Sequence, residues 1–319
     1  MKKTGLLLLL CMAVAAAAQQ AEPTSADQAA PQNTEITTGT FPIERVQTPT
    51  NADVYCGGFV TKDLQPNTKF IAGGLESPNT TKFATNDTIF LAGEGYQTGQ
   101  QYEIVRELVD PNKYELFAGQ HSMLKAMGQP YSELGRVRIV DTRGKMAIAR
   151  VEFSCETIVP GDFAIPYAEK PAVSFHLPER FDRFMPTNGK ASGRIVLAKD
   201  FDLLLGTGSK IYMNVGGNQG VKVGDYFRAV RTYEADLRDP VDSLSFKAST
   251  TDDTQRNPPS IEGHMFSKTK GPSIRVADMP RRAVGEIVVI NTTPTTSTGM
   301  LVFALEDVHV GDHVELDQQ

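Results

Sequence analysis

Leu134-Gly-Arg-Val-Arg-Ile-Val140 and Val284-Gly-Glu-Ile-Val-Val-Ile290 are two versions of one segment, and their surroundings repeat with them. Gly135 stands 26 positions before Gly161 of Val159-Pro-Gly-Asp-Phe163, and Gly285 stands 26 before Gly311 of Val310-Gly-Asp-His313. Between these marks Met146–Glu152 parallels Met300–Glu306. Upstream, Asp87–Gly93 and Thr98–Arg106 correspond to Ser209–Val215 and Val223–Arg231, and both second segments end in Val-Arg. Matched segments, matched turns and equal spacing together mark an internal duplication. The copies differ in one interval. Arg106 precedes Gly135 by 29 positions and Arg231 precedes Gly285 by 54, which places an insertion of 25 residues within 235–282.

Each copy reads as β. Arg136–Val140 and Ala147–Phe153 alternate apolar with polar or small residues, the period of a half-buried strand. The pairs Gly161-Asp162, Gly224-Asp225 and Gly311-Asp312 read as structural turns: glycine accepts positive φ, and the carboxylate bonds nearby backbone N–H groups. One more strand is expected ahead of each core, Val54–Val60 in the first copy and Arg194–Ala198 in the second. Five or six short strands per copy suffice for a small closed barrel. The expected fold is therefore all-β, with two tandem barrel-like domains at 48–167 and 193–317. Helical periodicity is confined to Gly119–Met127 and Val241–Ala248, inside the long connections. A proline-bearing connection, 168–192, joins the domains and carries Phe175, Phe181, Phe184 and Met185, so it is expected to lie against a barrel.

The N-terminus reads MKKTGLLLLLCMAVAAAA: two lysines, an apolar run and small residues, the order of a secretory signal peptide over 1–18. Cys11 lacks a small residue just ahead of it, which argues against lipidation. No later apolar stretch is long enough for a spanning helix. Residues 19–47, rich in Gln, Ala, Pro and Thr, read as a disordered tether. The formal charge of the 319 residues is −6. Removing the leader removes Lys2 and Lys3 and no acid, leaving 30 basic and 38 acidic side chains and a charge of −8. Such a balance excludes a nucleic-acid partner. Cys56 and Cys155 remain, and in an exported chain they are expected to form one disulfide, the alternative being two buried thiols. Closure of an opening strand on the end of the first barrel would bring them together.

The turn Gly220-Val-Lys-Val-Gly-Asp-Tyr-Phe227, with Gly193–Val196, Ile211–Val215, Gly285–Ile290 and Val308–Asp312, resembles the C-terminal β-modules of bacterial cell-envelope proteins of the LysM type. More distantly it is similar to the C-terminal barrel of the flagellar assembly protein T. The LysM motif itself, two helices between short strands, is not found over residues 19–86. The resemblance thus implies envelope association in a bacterial periplasm or at the cell surface, and not direct glycan binding through LysM.

No residue set points to catalysis, a cofactor or a metal. His309 and His313 flank a Gly-Asp turn, which spoils the geometry for shared ligation. Gly206-Thr-Gly-Ser-Lys210 lacks the full phosphate-loop pattern and leads into a strand. Lys268, Lys270, Arg275, Arg281 and Arg282 gather in the insertion as a basic stretch on an acidic chain, read as a solvated loop face with a contact patch for wall polymers or a partner as the alternative. The sequence supports an exported noncatalytic protein whose rigid barrels present the connections 107–133 and 232–283 to a cell-wall polymer or envelope partner. The alternatives are an envelope hydrolase and an appendage accessory subunit.

Overall fold

The computed structural model describes residues 46–76, 79–175, 181–232, 254–257, 260–261, 271–275 and 278–317. The leader 1–18 with Cys11, the tether as far as residue 45, His176, His264, Lys268, Lys270 and the helix expected near 241–248 lie outside the described residues. Residues 44–319 belong to one compact unit.

A short helix, α1 (Asn51–Tyr55), and a three-residue strand, β1 (Phe59–Thr61), precede the first barrel. That barrel is built from β2 (Phe70–Gly74), β3 (Thr88–Ala92), β4 (Gln101–Glu107), β5 (Gln129–Arg143), β6 (Met146–Ser154) and β7 (Phe163–Pro166). Their order is β5-β4-β7-β2-β3-β6, and β6 pairs back onto β5 to close the ring. The second barrel comprises β8 (Ser192–Ala198), β10 (Lys210–Met213), β11 (Tyr226–Arg231), β14 (Arg282–Thr292), β15 (Ser297–Ala304) and β17 (His313–Leu316). Its order, β14-β11-β17-β8-β10-β15, is the first barrel's order strand for strand. Minor pairs complete the list: β9 (Leu204–Leu205) with β16 (Val308–His309), and β12 (Ser260–Ile261) with β13 (Ser273–Ile274).

The duplication extends to irregularities. The β5–β6 ladder slips between Arg136/Val137 and Ile139/Asp141, and the β14–β15 ladder slips at the same offsets, Glu286/Ile287 and Val289/Asn291. Such bulges bend a strand and help close a small ring. Gly135 and Gly285 sit beside the first slip because a Cβ there would lie 2.3 Å from the Phe153 carbonyl oxygen and 2.8 Å from that of Phe303. Inside each ring the apolar residues of alternate positions form the core, Ile89, Leu91, Ile104, Val137 and Val151 in one and Ile211, Phe227, Ile287, Val289 and Leu301 in the other.

The first strand of barrel one is β2, which the sequence reading missed, and not Val54–Val60. That segment is a helix, then Cys56-Gly57-Gly58, then β1. Thr50 and Asp53 explain the helix: the Thr50 hydroxyl accepts from the Asp53 N–H, and the Asp53 carboxylate accepts from Thr50 N–H at 2.9 Å. Gly58 has φ +71, and side chains at either glycine would strike Ile290 or Tyr212 of the second barrel.

This segment runs between the barrels. β1 pairs with β5, while Gly57, Gly58 and Val60 offer their carbonyls to Tyr212 Oη at 3.2 Å, Thr298 Oγ1 at 2.8 Å and Thr296 Oγ1 at 2.6 Å. A second contact comes from the connection 107–133. Its helix α2 (Gln120–Met127) sets Met123, Leu124 and Met127 against Val196, Leu197 and Tyr212, and Gln120 Nε2 donates to the Val196 carbonyl at 3.0 Å. The C-terminal half of that connection is thus a clamp on the neighbouring barrel, where the sequence reading made the whole of it a contact surface for partners. The outer face of β14 and β15 is covered in turn by Val46, Val173, Phe175 and Phe181.

Candidate binding site

The repeated Gly-Asp turns are occupied by structural work. Asp162 accepts Arg106 Nε and Nη2, both at 2.8 Å, and the Val159 N–H at 2.7 Å. Asp312 accepts Arg231 Nε at 3.0 Å, Nη2 at 2.7 Å and the His309 N–H at 2.8 Å. The Val-Arg pairs near the ends of β4 and β11 therefore supply the arginines that hold the turn aspartates. Asp225 accepts the Lys222 N–H at 2.8 Å, and Gly161, Gly224 and Gly311 all adopt positive φ.

Cys56 and Cys155 are bonded, with Cα atoms 5.6 Å apart. Cys56 caps α1 and Cys155 follows β6, so the bridge fastens the inter-barrel segment to the first barrel and does not close two barrel strands. Of the basic patch, Arg275 pairs with Asp278 at 2.7 Å, Arg281 with Glu315 at 2.9 Å and Arg282 with Glu306 at 3.2 Å. Their charge is matched by carboxylates. His313 Nε2 lies 3.1 Å from Arg194 Nη2, and His309 contributes its backbone to the Asp312 turn. No group of three or more His, Cys, Asp or Glu among the described residues could hold a metal.

The site that the structure assembles lies elsewhere. A cavity of about 420 Å³ opens on the outer face of the first barrel, between α1 and the β4–β5–β6 sheet. Asn51, Ala52 and Tyr55 form one wall. Glu103 of β4 and Arg136 of β5, cross-strand partners, form the floor beside Gly135 and Phe153. Tyr167 and Glu169, where the chain leaves the barrel, form the far side. The disulfide sits directly behind it, joining the residue after Tyr55 to the strand end after Phe153.

The two tyrosines stack with centroids 6.0 Å apart, and Tyr167 Oη donates to Tyr55 Oη at 3.0 Å. The Arg136 guanidinium carbon lies 4.9 Å from the Tyr167 ring centre and 5.8 Å from that of Tyr55. Arg136 Nε is 3.4 Å from Glu152 Oε2 and is buried without a hydrogen bond among the described residues. Glu103 is 8% exposed, and its carboxyl makes no hydrogen bond to any described residue. Burial, with Glu133 nearby, pushes it up to about 8, against the pull of Lys170 and Arg136. Glu133 is itself enclosed: it accepts from Lys170 Nζ and from the Gly58 N–H at 3.0 Å. The floor therefore sets a carboxyl whose protonated form burial favours beside a guanidinium and an aromatic wall.

Sequence reading found none of these positions. Glu103 and Arg136 are ordinary outward-facing strand residues in a linear view, Tyr167 lies just past a strand end, and only a fold places α1 over them. The one available signal was the charge at matched positions, Glu103/Arg136 against Arg228/Glu286, the same pair with its members exchanged.

No known family model matches the chain, and no match was found among the curated proteins compared with it.

Proposed function

We infer that this is an exported, noncatalytic protein of the bacterial cell envelope, a two-barrel platform that contacts the cell wall or an envelope partner. The observation that carries the reading is the way the barrels are joined. A disulfide-anchored segment and a clamp helix tie them through side chains of both copies, a construction suited to presenting fixed surfaces. The disulfide fits an oxidising compartment, and no described helix is long and apolar enough to cross a membrane. The resemblance to the β-modules of LysM-type envelope proteins and the signal-peptide pattern favour the periplasm or the cell surface.

One observation favours a second reading. Glu103, a cavity carboxyl whose protonated form burial favours, has the character of a general acid, as an envelope hydrolase would need. The buried Glu133 is tied to Lys170 and Gly58, so a second carboxylate free to act on substrate would have to be Glu169 at the rim.

Co-sedimentation of the purified protein with isolated peptidoglycan tests both. Binding with no release of soluble fragments supports the platform. Release of reducing ends, abolished by Glu103→Gln, would establish the hydrolase and overturn it. Recovery of a stoichiometric protein partner from envelope fractions, without wall binding, would point instead to an appendage accessory subunit.

A further inference from the structure

The two barrels treat the same outer face differently. In the second, Arg228 and Glu286 occupy the positions of Glu103 and Arg136, and the preceding connection lies over them. The Arg228 guanidinium carbon is 5.6 Å from the Phe181 ring, Arg228 Nε donates to Asp317 at 2.9 Å, and the space left beside Met185 is only about 10 Å³. In the first barrel the preceding segment, α1, is held away from the same face by the disulfide and the Tyr55–Tyr167 contact. A cavity of about 420 Å³ remains, within the range of small-ligand sites. One copy fills the face with its own chain. Among the described residues, the other leaves it open.

What the open copy exposes is chemically specific. Glu103 is 8% exposed and lines the cavity, and its carboxyl bonds to no described residue, so it is available to whatever fills the cavity, water included. An organic cation is disfavoured because Arg136 already lies on the tyrosine faces. An anion is disfavoured by Glu169 at the rim, Glu152 against Arg136 and Glu133 behind Glu103. A neutral ligand rich in hydroxyls meets all of these conditions. Its hydroxyls and any amide group can hydrogen-bond to Glu103 and the Arg136 guanidinium, and its C–H faces can pack on Phe153 and on the tyrosine edges that line the cavity.

We propose that this cavity binds a short neutral oligosaccharide, with Tyr55 and Tyr167 as its walls and Glu103 and Arg136 as its hydrogen-bonding floor. The assignment deepens the envelope reading and rests on it for where such a sugar is met. It does not use the LysM motif, which the chain lacks.

Titration calorimetry of the purified protein at pH 6.5 with N,N′-diacetylchitobiose as probe tests the proposal. The expected result is saturable binding with a millimolar or lower Kd. Glu103→Gln, which keeps a neutral donor and acceptor, is expected to hold affinity within about threefold, while Glu103→Ala weakens it by about tenfold or more. Tyr167→Ala is expected to weaken it similarly, and thermal melts of each variant confirm that the barrel persists. The proposal is overturned by no saturable binding of the probe, by equal affinity in Glu103→Ala, or by preferential binding of a trialanine peptide. Failure with the sugar while the protein still sediments with peptidoglycan removes this site assignment alone. Loss of sedimentation with sugar binding intact removes the envelope reading alone.

Discussion

Asp312 and Asp162 do the same job in different surroundings, and the difference sets what their loss costs. Arg231 and Asp312 have side chains 6% and 4% exposed, whereas Arg106 opposite Asp162 is 33% exposed. Removing the carboxylate of a buried ion pair costs more than removing one whose arginine reaches water, about 3–5 kcal/mol for a buried pair. Asp312→Ala is therefore expected to lower unfolding stability by that amount in urea titrations. Asp162→Ala leaves an arginine that water can reach, and a loss of about 1–3 kcal/mol is expected. Equal losses would show that the turns carry the energy and the arginines do not. The turn aspartates were legible because Gly-Asp recurs at fixed spacing in both copies. Their arginine partners were visible only as a repeated strand ending, since the contact joins residues 56 and 81 positions apart.

At the scale of elements, α1 and α2 hold the barrels together and both depend on long-range anchors. The Cys56–Cys155 bridge closes a loop of 99 residues, for which chain entropy gives up to about 4–5 kcal/mol. Cys56→Ser/Cys155→Ser is expected to lose most of that in urea titration, and the native unreduced protein is expected to show no reactive thiol from these two positions. In α2, the buried Gln120 accepts the Leu116 N–H at 2.8 Å and donates to Val196. Gln120→Ala leaves both backbone groups without that partner, and a loss of about 1–3 kcal/mol is expected, together with faster amide exchange in β8. A helix near 119–127 could be read from periodicity. What it packs against could not, because its partners lie some 70 residues further along the chain. The strand expected at Val54–Val60 failed for a related reason: a capping box at Thr50 and two glycines overrode a short β-like run.

For the whole molecule, several buried acids set the dependence of stability on pH. Burial pushes Glu103 up to about 8 and Glu286 to about 7, Asp317 adding to the second. In the unfolded chain both return to the ordinary range near 4.5. Raised acids of this kind cost nothing below that range and progressively destabilise the fold as pH rises from there to their folded values. Asp53 runs the other way: burial opposes ionisation, yet Lys210 and Thr50 hold it below its usual value, so its contribution is lost as pH falls through that lowered value. The fold is thus expected to be most stable near about pH 4–4.5, above the lowered Asp53 value and below the range where the raised acids ionise in the unfolded chain, and to weaken from there toward pH 8. The double variant Glu103→Gln/Glu286→Gln is expected to flatten that fall in urea midpoints. An unchanged slope would mean these carboxyls are solvated in the folded state.

The amino-acid sequence by itself determined the duplication, the all-β class, the two small barrels and the pair of cysteines that bond. These follow from local rules repeated at fixed spacing: alternation along a strand, glycine at turns, a polar leader ahead of an apolar run. Only the tertiary structure decided which outer faces are covered, by which chain, and where one is left open. That choice depends on contacts between residues 60 to 240 positions apart, such as Thr298 with Gly58 or Lys170 with Val54. Strand periodicity separates inside from outside but carries no record of what lies against the outside. The cavity over Glu103 exists because a helix pinned by Cys155 stands off from a face that, in the twin barrel, the chain itself fills.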